Sequence, residues 1–121
     1  MNILDTVIKR LDSFSLLETD WDQDGAEIID TNVINTAKEF LKALYSQKEL
    51  LYHPEVDPCC NGTIDILWHT DNHQLLINIK KDCKTIGYYG ENKKNNTSIK
   101  DTIAISDIHQ NLLPWMKWIY A

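Results

Sequence analysis

Between Thr63 and Ile105 the chain carries four short runs that alternate apolar and polar residues, and this pattern constrains the fold more than any other feature. Thr63–His69 sets Ile64, Ile66 and Trp68 against Thr63, Asp65 and Leu67. His73–Lys80 sets Leu75, Ile77 and Ile79 against Gln74, Leu76 and Asn78. Lys84–Tyr89 carries Ile86, Tyr88 and Tyr89, and Ile99–Ile105 places Ile99, Ile103 and Ile105 together. A period of two is the signature of strands with one buried face. Asp71-Asn72 and the polar stretch Gly90–Ser98 supply the turns, and strands joined by short turns are antiparallel neighbours.

An apolar sheet face needs a cover, and helical patterns on either side of the strands provide it. Ile3, Leu4, Val7, Ile8, Leu11, Phe14 and Leu17 recur at helical spacing over residues 3–17. Acids and Gly25 break that pattern over residues 18–30, which read as a loop. A second helix starts at Asp30 or Thr31, both good capping residues, and carries Val33, Ala37, Phe40, Leu41, Leu44 and Tyr45 on one face. Pro54 and Pro58 around Val56 suggest an extended edge segment, and Asn61-Gly62 a turn. Ser106 is placed to cap a closing helix with Ile108, Leu112, Leu113, Trp115, Met116 and Ile119, interrupted at Pro114. The expected fold is a single two-layer α+β domain over residues 1–121. It is a four-stranded antiparallel meander with two N-terminal helices and one C-terminal helix packed on one face.

Charge is placed unevenly. Residues 1–30 hold eight acids (Asp5, Asp12, Glu18, Asp20, Asp22, Asp24, Glu27, Asp30) against Lys9 and Arg10, while the other ten acids are matched by ten lysines. The net charge of −6 therefore belongs to the N-terminal quarter. Such a chain is a poor binder of nucleic-acid backbone. No apolar stretch is long enough to span a bilayer, and the first ten residues show no basic leader followed by an apolar run. Cys59, Cys60 and Cys83 are odd in number and two are adjacent, so they make no disulfide framework. Together these points lead to the expectation of a cytoplasmic chain.

Asp20-x-Asp22-x-Asp24-Gly25 has the opening spacing of a calcium loop. However, Thr31 stands where a bidentate Glu is needed and Glu27 where an apolar residue is needed, so an acidic turn with Asp side chains bonded to backbone is the better reading. His69 and His73 bracket the Asp71-Asn72 turn and could face each other across two strands, with Asp65 converging on the same edge. A cross-strand polar pair explains them better than zinc. No Ser, Cys or Thr stands in a nucleophile context, and the glycines form no phosphate loop. The chain is therefore expected to be non-enzymatic and to need no cofactor. Four tryptophans are many for this length. Trp115 and Trp118 are neighbours at i, i+3 on a helix and offer an interface, homodimeric or with a partner.

One set of residues resembles a known pattern. Trp21-Asp22-x-x-Gly25-Ala26, a helix with Phe40-Leu41 near its middle, Pro54-x-Val56-x-Pro58 and Gly62-x-Ile64-x-Ile66-x-Trp68 are similar to a family of small uncharacterised bacterial and phage proteins. The resemblance covers roughly residues 16–90. That family typically reads Trp-Asp-Gly-Tyr-Gly-Ala at the first site, so Gln23 and Asp24 depart from it. The resemblance implies that Trp21, Asp22, Gly25 and Ala26 form an architectural corner and that Asp24 is this chain's own addition. It implies no activity.

The function expected from these residues is that of an acidic protein-binding domain inhibiting a partner, of antitoxin, immunity or phage anti-defence type. The partner would be basic and nucleic-acid-handling, bound through Asp20, Asp22, Asp24, Glu27, Trp115 and Trp118. The alternative is a metal- or small-ligand-binding domain using the loop at 20–25.

Overall fold

The computed structural model describes residues 3–46 and 53–107, and the expected C-terminal helix, with Trp115 and Trp118, lies outside them. Helix α1 spans Ile3–Ser13 and passes into a 3-10 turn at Phe14–Leu16; helix α2 spans Thr31–Ser46. Five strands follow: β1 Glu55–Pro58, β2 Ile64–His69, β3 His73–Ile79, β4 Thr85–Asn92 and β5 Thr97–Ala104. All pair antiparallel in sequence order as one meander.

The domain is thus α+β with an antiparallel sheet, but the sheet has five strands where the alternation showed four. The extra strand is β1, whose Val56 pairs with Ile66 and Pro58 with Ile64. Four residues ending in a proline give no alternation long enough to read as a strand, and a proline is tolerated there because β1 is an edge. Arg10 reaches this strand from α1. Its Nε donates to the Val56 carbonyl at 2.6 Å and its Nη2 lies 2.9 Å from Asp57 Oδ1.

The register sorts the side chains. Ile64, Ile66 and Trp68 stand opposite Ile79, Ile77 and Leu75, and Ile86 opposite Ile79. These are buried and join Val56 in one core with Val7, Leu11 and Phe14 of the first helical segment and Val33, Ile34, Ala37, Phe40, Leu41 and Leu44 of α2. Burying a side chain of this size contributes about 1.5–3 kcal/mol, so the core alone accounts for why these elements assemble. Asp30 caps α2, its Oδ1 accepting the Asn32 N–H at 2.8 Å. Among the described residues no helix is long and apolar enough to cross a membrane.

Candidate functional site

The segment between α1 and α2 is a closed loop rather than an open acidic arc. The Asp20 N–H donates to the Ala26 carbonyl at 2.7 Å, the Gln23 N–H to the Asp20 carbonyl at 2.9 Å, and the Glu27 N–H to the Cys60 carbonyl at 2.8 Å. Three residues hold positive φ: Asp20 (66°), Gln23 (60°) and Gly25 (85°). Left-handed backbone favours glycine, and Asp20 tolerates it because its short carboxylate bonds locally.

The carboxylates divide into two groups. Asp22 Oδ1 accepts the N–H groups of Asp24 (2.8 Å) and Ala26 (3.0 Å), and Asp20 Oδ1 accepts the Gly25 N–H (2.6 Å). These two acids build the turn. The half-buried Trp21 closes it, its indole Nε1–H donating to the Glu27 carbonyl at 2.8 Å. Asp24 and Glu27 are presented to solvent. Glu27 is 2.8 Å from Lys81 Nζ, an exposed pair worth about 0.2–1 kcal/mol.

The Oδ1 atoms of Asp20 and Asp22 are thus occupied as acceptors of backbone N–H groups. Among the described residues no group of three or more His, Cys, Asp or Glu side chains gathers to hold a metal ion. The two histidines are also separated. His69 pairs with Gln74, while His73 pairs with Asn92. A one-residue offset from direct pairing sends side chains to opposite sheet faces, so His73 stands on the other face from His69 and Asp65, and the three do not converge. His69 Nε2 instead lies 3.4 Å from Glu55 Oε1.

On the sheet face turned away from α1 and α2, the Asn78 amide donates to Thr63 Oγ1 (2.9 Å) and Asp65 Oδ1 (2.8 Å) and lies 3.9 Å from Cys59 Sγ. Burial, with smaller contributions from Asp65 and Cys60, pushes the Cys59 thiol up to about 11. A thiol held protonated in this way is a poor nucleophile.

Two features escaped the sequence reading. Leu16 (80% exposed) and Ile28 (52% exposed) stand on the two arms of the acidic loop. Leu16 falls off the helical period of α1, which was the available signal. A groove of about 710 Å³ also runs along α2 opposite the β3–β4 turn. Its walls are far apart in sequence, so no local pattern announces it. Comparison of the chain with protein-family models, with curated proteins and with solved structures gives no match.

Proposed function

We propose that this chain is a non-enzymatic protein-binding domain that inhibits a basic partner, of antitoxin, immunity or anti-defence type, through the loop between α1 and α2. The observation that carries this reading is the exposure of Leu16 and Ile28 beside the acids of a loop that is internally bonded into one shape. Apolar anchors supply affinity, and surrounding charge steers encounter and selects the partner's sign. A preformed loop loses little conformational freedom on binding. In this reading Asp24, Glu27, Leu16 and Ile28 touch the partner, while Asp20 and Asp22 hold the shape that presents them. Trp115 and Trp118, proposed as a second contact or a homodimer surface, belong to the residues outside the description.

The test is capture from host extract by the full chain and by a Leu16→Ser/Asp24→Asn variant, with captured proteins identified by mass spectrometry. The reading expects a basic protein retained by the wild type and lost by the variant, at an unchanged melting temperature. Equal retention by both would refute it.

A further inference from the structure

The sheet face turned away from the helices carries a depression of about 430 Å³. The strand register fixes its layout. Leu76, Tyr89 and Lys100 stand side by side on β3, β4 and β5, and Asn78, Gly87 and Thr102 form the next row. All six line the depression. Gly87 is the middle of its row, so its missing side chain leaves a hole among neighbours that all have one. Its φ is not positive, and no turn calls for glycine there. A glycine inside a strand weakens it and often marks a place where a ligand comes close to the backbone.

The hole is lined with positive charge. A Cβ built on Gly87 would meet Lys80 alone, with Cε and Nζ each at 3.4 Å, so that ammonium lies over the hole. Lys100 stands on the other side. Among the described residues neither lysine has a carboxylate partner, and Lys80 is half-buried. The nearby acids are each bonded within the sheet. Asp65 Oδ1 accepts the Asn78 amide, Glu91 Oε2 accepts the Tyr89 hydroxyl, and Asp101 Oδ1 accepts the Thr102 N–H, all at 2.8 Å. Asp101 also stands opposite Tyr88, on the other face from Lys100.

We propose that this depression binds an organic phosphate, a monoester whose flat apolar body lies against Leu76 and Tyr89. Two ammonium groups match the double charge that a monoester carries above its second pKa of about 6, and lysine is a common phosphate ligand. A carboxylate would leave one of them unpaired. The volume lies within the ~300–1,000 Å³ of ordinary ligand pockets. The site is separate from the loop between α1 and α2, and the proposal does not depend on the protein-binding reading.

The test titrates the full chain with phenyl phosphate at neutral pH, with affinity read by calorimetry and location by amide chemical shifts. Saturable binding is expected, with shifts at Leu76, Gly87, Tyr89 and Thr102. Phenol lacks the charge, inorganic phosphate lacks the ring and benzoate carries a single charge, so each should bind at least tenfold more weakly. Lys80→Gln/Lys100→Gln should weaken phenyl phosphate at least tenfold. Gly87→Val fills the hole with a residue that suits a strand, and the Lys80 end it meets is free to move. It should abolish binding at an unchanged or higher melting temperature. Absence of saturable binding, shifts confined to other residues, equal binding of any of the three comparison compounds, or indifference to either variant would overturn the proposal.

Discussion

Replacing Asp22 by alanine separates the acids that build the loop from those that decorate it. Asp22 Oδ1 receives two backbone N–H groups, from Asp24 at 2.8 Å and Ala26 at 3.0 Å. Loss of a side chain capping backbone N–H groups costs about 0.5–2 kcal/mol. The Ala26 bond is part-buried, so water replaces the lost acceptor poorly there. Asp22→Ala is therefore expected to cost about 1–2 kcal/mol. In a domain of this size each kcal/mol lowers the melting temperature by about 3–5 °C, giving a drop of about 3–10 °C. Asp22→Asn keeps an oxygen acceptor and should lose about half as much. Asp24→Ala, at an exposed position where no described partner receives the carboxylate, should stay within about 0.5 kcal/mol. Thermal and urea unfolding followed by circular dichroism at neutral pH measure all three. Equal melting temperatures for Asp22→Ala and Asp24→Ala would refute the division of roles.

Other consequences follow from the same geometry. Gln23 holds φ 60°, so Gln23→Gly should raise stability by about 0.5–1 kcal/mol, read as a higher urea midpoint. Gly25 and Gly62 both have positive φ, but a Cβ at Gly25 meets open space whereas one at Gly62 comes to 3.0 Å from Lys81 Cε and 3.3 Å from the Ile28 carbonyl. Alanine should therefore cost about 1 kcal/mol at Gly25 and about 2 at Gly62, and equal unfolding midpoints would contradict this. The N–H groups of Lys84 and Thr85 hold the Asp82 carboxyl below its ordinary value. Its stabilisation is accordingly present above pH 3.8 and lost as pH falls through the lowered folded value, so wild type and Asp82→Ala should converge in melting temperature in strong acid. With its thiol near 11, Cys59 is ionised at pH 8 to about one part in a thousand, so iodoacetamide mass labelling should modify exposed Cys60 well before Cys59.

Much of the fold could be read from sequence because burial imposes a period. Ile64, Ile66 and Trp68 alternate because one face of β2 is fully buried against the helices while the other is not, and Asp30 marks the start of α2 because a helix leaves N–H groups that need an acceptor. The errors fall where that constraint is weak. The polar run Gly90–Ser98 was expected to be a loop, yet β4 continues to Asn92 and β5 begins at Thr97, with Asn96 at φ 57° in the turn. At the exposed end of this hairpin the side chains face water and show no apolar period. The residues of the acidic loop were legible but not their orientation. Alternate aspartates look the same whether the carboxylates face an ion or the chain's own N–H groups, and only the backbone at Asp20, Gln23 and Gly25 decides it.

The loop between α1 and α2 is the contact surface we propose. The most direct measurement is titration calorimetry of the purified captured partner against wild type and Leu16→Ser/Asp24→Asn, at low and at high salt. The expected result is affinity at least tenfold weaker for the variant, an affinity for the wild type that falls as salt rises, and no difference in melting temperature between the two proteins. Equal affinities, or a wild-type affinity indifferent to salt, would contradict it.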